Sequence, residues 1–131
     1  MFIEYALKSF LDGQADLTSL ISGRLYYNSA PRDVATPYVV MTKISENLEQ
    51  SLSGDSHLSV ARIQFSIFAD SYYDTRLIGA QIKSSLLGQT GPTGDNSVYI
   101  GDIQLDNETD IYDSYHMLAM DFMVMYNTQE V

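Results

Sequence analysis

The chain has 131 residues, 45% of them hydrophobic, and a formal net charge of −10. This length predicts a single domain, residues 1–131, with a sizeable core, and the apolar content excludes a disordered acidic chain. The lack of cysteine excludes disulfides and thiol catalysis, and the acidity argues against nucleic acid as a ligand.

The N-terminal segment has the apolar spacing of an amphipathic helix over residues 2–12. Gly13 is suited to close this helix in a left-handed conformation, and Asp16 to cap a short helix over Leu17–Ser22. The first residues lack the basic region of a signal peptide, and no apolar run approaches the length of a membrane span. We therefore expect a cytoplasmic protein without a membrane segment.

The central segment predicts a β-hairpin. Residues 24–37 contain two prolines and are expected to be extended or loop, and residues 38–44 are rich in β-formers. Ser45–His57 is polar and is interpreted as a long loop or a hairpin tip. Residues 58–69 alternate apolar and polar side chains, which is typical of a strand with one buried face.

The C-terminal half predicts a helix and two strands. Asp70 or Ser71 is expected to cap a helix over residues 72–87, with Gly88 as its C′ residue. Strands are predicted over residues 97–105 and 114–126, with an acidic segment at 106–110 between them. Apolar residues on both faces of the last strand indicate either a central strand covered on both sides or a subunit interface.

The order of elements is α, α, β, β, α, β, β. It predicts an α+β fold with two layers, a mainly antiparallel sheet of about four strands with two main helices packed on one face.

Chemistry-bearing residues are sparse. Asp55, Ser56 and His57 are adjacent in the chain and cannot face one another as a catalytic triad, and His116 is interpreted as a strand-edge residue. Asp106, Glu108 and Asp110 have the spacing of ligand positions 1, 3 and 5 of a calcium-binding loop. Isoleucine stands where that loop needs glycine and methionine where it needs glutamate. We predict no enzyme activity, no metal and no cofactor.

The charge is unevenly placed. Residues 1–83 hold all seven basic residues and nine acids, whereas residues 84–131 hold eight acids and no base. One hypothesis is an acidic binding module, or an inhibitor that mimics DNA toward a basic partner.

The ten tyrosines include the pairs Tyr26–Tyr27 and Tyr72–Tyr73. These pairs fit either interface contacts or ordinary half-buried packing.

Several segments in order carry a family resemblance. They are Tyr5-Ala6-Leu7-Lys8-Ser9-Phe10-Leu11, Leu17 to Tyr26 with its Ser22-Gly23-Arg24, Ala30-Pro31, Thr36-Pro37-Tyr38-Val39-Val40, Leu52-Ser53-Gly54 and Ala61 to Ala69. Over about residues 5–87 the chain resembles the tail-completion proteins of long-tailed bacteriophages, also called tail terminators or tail-to-head joining proteins. Members often have Trp near the position of Phe68, and this chain has none.

The resemblance implies a structural virion protein, assembled in the bacterial cytoplasm, at the head-proximal end of the tail. Such proteins form a homo-oligomeric ring, typically a hexamer. The ring ends tail-tube polymerisation and joins the tail tube protein to the head connector, while DNA passes through without being a specific ligand.

Three sets of residues are predicted to serve such a ring. Carboxylates facing the central channel would repel passing DNA; they are Asp102, Asp106, Glu108, Asp110 and Asp113. The polar loop is the candidate for partner contact, through Glu46, Asn47, Glu49, Gln50 and Asp55. The candidate subunit interface comprises Tyr26, Tyr27, Met117, Met123 and Met125.

Overall fold

The computed structural model describes residues 2–50, 57–92, 98–112 and 116–128. In these ranges the chain forms three helices, α1 (Ile3–Asp12), α2 (Ala15–Ile21) and α3 (Tyr72–Leu86). The strands are β1 (Leu25–Tyr27), β2 (Tyr38–Gln50), β3 (His57–Ala69), β4 (Gly91–Pro92), β5 (Val98–Tyr112) and β6 (His116–Thr128). Within the described ranges no helix is long and apolar enough to cross a membrane.

The strands form one sheet in the order β1-β2-β3-β6-β5-β4. All neighbours are antiparallel except β1, which runs parallel to β2. The predicted α+β class is confirmed. The expected four strands and two main helices differ from the six strands and three helices of the described chain. The two further strands, β1 and β4, are too short to show a period in the sequence, and the third helix is the short α2, predicted beside the two main ones.

The core lies between the helices and one face of the sheet. Fully buried side chains of β3 and β6 meet there, with the rings of Phe65 and Phe122 edge to face at 5.6 Å. Leu7 and Leu11 of α1 are buried in the same cluster, together with Ile82 of α3. Burial of these side chains is the main favourable contribution to folding.

Helix α3 approaches the sheet closely at Gly79. A Cβ at this position would lie 2.7 Å from Cδ2 of Leu118, which is fully buried. The helix begins as expected, because the Ser71 hydroxyl accepts a hydrogen bond from the Asp74 N–H at 3.1 Å. Gly88 follows the helix in the left-handed conformation, with φ +79°, which confirms its expected C′ role.

Details of the N-terminal helices differ from expectation. Gly13 has φ −83° and is right-handed, because its N–H still bonds within the last turn of α1, to the Phe10 carbonyl. Gln14, not Asp16, stands at the N-cap of α2, and Asp16 lies in its first turn. The left-handed residues come after α2, at Ser22 and Gly23.

Two predicted loops are largely strand. Ser45–Gln50 and His57 extend β2 and β3 as paired arms of a hairpin, and only residues 51–56 lie outside the described part. The acidic segment 106–110 belongs to β5, whose pairing with β6 continues to Tyr112. Hydrophobic alternation fails to reveal this end of β5, because the acids Glu108 and Asp110 stand on its inner side, and Glu108 pairs with Arg76 and Lys83 of α3 instead of entering the core.

Candidate assembly surfaces

The face of the sheet opposite the helices, here called the helix-free face, is half-buried and partly apolar. In β6 it carries Met117, Met123 and Met125, which pair with Phe68, Arg62 and Val60 of β3. The structure thus brings the three predicted interface methionines onto one surface, since alternate residues of a strand share a face. It places Tyr26 on this face too, through its pairing with Val40.

An ion network crosses the middle of the helix-free face. The Arg62 guanidinium lies 2.7 Å from the Asp106 carboxylate and 3.3 Å from that of Asp121. The hydrogen bond to Asp106 raises the pKa of Arg62 further, so the guanidinium stays charged. Since the three residues lie on β3, β5 and β6, the network ties three strands together. The only sequence signal for it is one arginine within an alternating strand.

At one end of the helix-free face, the segment 28–34 and strands β2 and β3 form an open cleft of about 470 Å³. Its floor includes Tyr38 and Phe68, whose rings are stacked at 4.8 Å. Beside it, the Arg24 Nε donates a hydrogen bond at 3.0 Å to the carbonyl of Pro37, the residue before Tyr38. The cleft is the concave part of this face, and its polar rim suits a protein surface rather than an enclosed small-molecule site.

The predicted channel acids lie on two faces. Asp102 and Asp106 are on the helix-free face, whereas Glu108 and Asp110 point to the helix side, and Asp113 is outside the described residues. Glu108 is held by α3, with its Oε1 2.9 Å from Lys83 Nζ and 3.5 Å from Arg76 Nη1.

This placement bears on the DNA-mimic hypothesis. A mimic needs a continuous row of unpaired carboxylates, but Asp106 and Glu108 are each paired with cations. Asp102 and Asp110 make no ion pair within the described part of the chain, and they lie on opposite faces. Two of these four acids are therefore ion-paired and two are not, and the described part of β5 has no continuous row of unpaired carboxylates.

Exposed aromatic residues form two clusters, one beside β2 and one where the ends of β5 and β6 meet the start of α3. Beside β2, Tyr5 lies 4.8 Å from Tyr27 and 5.9 Å from Phe2, which is 66% exposed. Burial is the main cause that raises the pKa of Tyr27 to about 12, followed by the neighbouring Tyr5 and two acids. We call this group the β2-side cluster. The two tyrosines of the predicted subunit interface lie on opposite faces of the sheet, because Tyr27 faces the helices and Tyr26 lies on the helix-free face.

The other group, the β5-side cluster, surrounds His116. The Tyr112 ring lies 4.6 Å from the imidazole, and Tyr72 lies 6.4 Å from it on α3. Tyr112 and Tyr73 are each 72% exposed. His116 is therefore a partner of aromatic rings at the strand edge, as its position in the sequence indicates.

Of the predicted partner-contact residues, Glu46 and Asn47 are exposed on β2. Lys43 reaches Glu46 at 3.2 Å across the β-bulge. Glu49 and Gln50 continue the strand by pairing with Leu58 and His57, and Asp55 lies outside the described residues.

Catalytic and metal chemistry gain no support from the geometry. The backbone pairing places His57 and His116 at opposite ends of the sheet, since His57 pairs with Gln50 and His116 with Ala69. In the described ranges, no group of three or more His, Asp or Glu side chains is placed to hold a metal ion.

Comparison with known proteins gives one family and one fold. The model of the family described as tail completion protein gp17 matches residues 6–126. A chain from a solved structure titled "Virion of native gene transfer agent (GTA) particle" superposes with a TM-score of 0.73 at 14% identity, covering 95% of this chain and 93% of that chain. At this identity the likeness concerns the fold alone. No curated protein sequence matches.

Proposed function

This chain belongs to the tail completion protein gp17 family, and from that premise we propose that it forms a ring at the head-proximal end of a phage or prophage tail. The ring has six subunits, ends tail-tube polymerisation and joins the tube to the head connector. Its role is structural and needs no catalytic group.

The observation that carries the proposal is the family match over residues 6–126, nearly the whole chain. The fold it shares with a chain of the gene transfer agent virion supports a place in such a particle. A ring also requires head-to-tail contacts between two different surfaces of each subunit. The two aromatic clusters, one beside β2 and one at the end of β5, are such a pair of different surfaces.

The hairpin end of β2 and β3 is our candidate for docking a tail or connector protein, since Glu46 and Asn47 are exposed there and the segment is polar. Met117, Met123 and Met125 remain our candidates for contact between subunits. They are half-buried in the isolated chain, so a neighbouring copy would complete their burial. Methionine suits such a contact, because its flexible thioether adapts to an irregular surface.

The acids of β5 lie on two faces of the sheet, and their ion pairs indicate which face lines the DNA channel. Glu108 is held by two cations of α3 and has little charge to present. Asp106 is held by Arg62 in the same way, so Asp102 is the carboxylate of the helix-free face with charge to present. We assign the channel to the side of Asp102, where a carboxylate repels the passing phosphate backbone without binding it.

Electron microscopy of negatively stained protein, alone and mixed with tail tubes, tests the ring. Closed rings in solution or at one end of each tube are expected. Protein that stays monomeric and leaves tubes bare contradicts the proposal. Genetic removal of residues 51–55, which leaves the paired residues of β2 in place, is expected to leave folded protein that still forms rings but no longer joins heads to tails. Normal yields of infectious particles from this deletion contradict the partner role of the hairpin.

A further inference from the structure

We propose that neighbouring copies of this chain join edge to edge, with the open edge of β2 in one copy pairing antiparallel with the open edge of β5 in the next. This inference rests on the proposed ring and names the surface by which its subunits meet. It makes the sheet continuous from one subunit to the next.

The first open edge is on β2. Its neighbour β1 pairs only with Val39–Met41. The nine residues of Thr42–Gln50 have no strand on that side within the described chain. At the strand spacing of antiparallel sheets this edge is about 30 Å long.

The second open edge is on β5. Its neighbour β4 pairs only with Tyr99 and Ile100. The twelve residues of Gly101–Tyr112 have β6 on one side and, among the described residues, no strand on the other. Such an edge leaves backbone N–H and C=O groups unpaired and is a template for another strand.

The two edges have the right polarity to pair. Strands β2 and β6 run the same way, since both are antiparallel to β3, and β5 runs opposite to β6. Placing a second copy beside the first without turning it over therefore brings β5 antiparallel to β2. The contact joins two different surfaces, so it repeats from copy to copy and closes when the rotation between copies allows.

The short strands β1 and β4, which cover part of each edge, restrict the register in which β2 and β5 of neighbouring copies pair. Strand β1 blocks the end of β2 near Tyr38, and β4 blocks the end of β5 near Val98. The sheet register places these blocks at opposite ends of the sheet. The open segments therefore meet only with a stagger, which inclines the strands to the ring axis, as in closed barrels.

Bulges restrict which strand fits each edge. The pairing of β2 is interrupted between Lys43 and Ser45, and that of β5 between Leu105 and Asn107. Bulges discourage pairing with an arbitrary flat strand. They leave two regular segments of six residues, Ser45–Gln50 and Asn107–Tyr112, as the centre of the shared ladder. Because paired residues share a face, the two segments are offset by one residue, which sets Asn47 opposite Thr109 or Ile111.

Side chains beside the edges also complement each other. The β2-side cluster and the exposed Ile44 flank one edge, whereas the β5-side cluster and the exposed Ile111 flank the other. Aromatic and large apolar residues of this kind form the buried centres of interfaces. Lys43, the only cation of the open β2 edge, is already paired with Glu46, so apolar and aromatic contacts supply this complementarity.

Cysteine cross-linking tests this pairing, since the chain has no native thiol. Asn47 is exposed and lies on the helix-free face, as do Thr109 and Ile111. Asn47→Cys combined with Thr109→Cys or Ile111→Cys is expected to give a ladder of covalent oligomers after mild oxidation. The matched control combines Asn47→Cys with Asp110→Cys, whose side chain lies on the other face, and is expected to give no ladder.

A second pair of variants avoids dependence on register. Ile44→Asp blocks the β2 edge and Ile111→Asp blocks the β5 edge. Each variant alone is expected to stay monomeric, while an equal mixture gives a heterodimer through the two intact edges and nothing larger.

The outcomes separate the two proposals. Rings of the unchanged protein, with neither cross-linked ladders nor assembly defects in the variants, overturn the edge pairing and leave the ring intact. Unchanged protein that forms no ring, alone or on tail tubes, overturns the proposed function itself. A ladder from the Asp110 control as strong as from Thr109 also overturns the edge pairing.

Discussion

Replacing Phe122 by alanine is expected to lower the free energy of unfolding by about 3–5 kcal/mol, the usual cost of truncating a buried phenylalanine. Phe122 is fully buried on the helix side of β6, and its ring contacts that of Phe65 edge to face at 5.6 Å. The vacated space lies in the middle of the helix–sheet core, where Phe65 and the neighbouring strands are fixed by pairing on both sides.

The next residue provides a matched control. Met123 has the opposite orientation and lies half-buried on the helix-free face. Met123→Ala is expected to cost about 1 kcal/mol or less, because much of its side chain is already in water. The same change at adjacent positions thus separates core packing from surface contact.

Urea and thermal unfolding measure both variants. For a chain of this size, the loss at Phe122 corresponds to a fall in the melting temperature of roughly 10–20 °C, against a few degrees at Met123. The Met123 variant is expected to fold but to form fewer rings, which electron microscopy scores. Equal losses of stability at the two positions would refute the assignment of the two faces.

Three further predictions concern single groups. Ser71→Ala removes the hydroxyl cap of α3 and is expected to cost about 1 kcal/mol in thermal unfolding, whereas Ser84→Ala, at an exposed position of the same helix, costs nothing; equal effects would contradict the cap. The pKa of Tyr27 is about 12 against an ordinary 10.0, so its neutral form contributes stability below pH 10 that is lost as the pH rises toward 12. As the pH rises from 10 to 12, urea unfolding is expected to show a smaller fall in stability for Tyr27→Phe than for the unchanged protein, and identical profiles would contradict this role of Tyr27. Asp102→Lys is expected to slow DNA release from assembled particles more than Asp110→Lys, and equal rates would count against the assigned channel side.

Local sequence patterns determine several parts of this protein. The alternation of residues 58–69 predicts β3, and its apolar side is the face buried against the helices. The serine before residues 72–87 predicts where α3 begins, and its hydroxyl makes the expected cap. These features are local, since a strand's two faces and a helix cap depend on residues within a few positions of one another.

The candidate surfaces are less visible in the sequence. Met117, Met123 and Met125 are recognisable as a second apolar stripe on the last strand, and the structure gathers them on one face. The sequence does not indicate that Arg62 pairs with Asp106 or that Glu108 pairs with Lys83. No local pattern marks such pairs, because their partners are chosen by sheet register and helix packing.

Sequence patterns alone are sufficient to predict the α+β class, the main helices, the strand faces and the resemblance that the family match over residues 6–126 confirms. Three features emerge only from the fold: the acidic segment is a strand, its carboxylates divide between two faces, and within the described residues β2 and β5 keep long open edges. Side-chain periodicity records whether a residue is buried, whereas strand order and the unpaired backbone depend on contacts between residues distant in the chain.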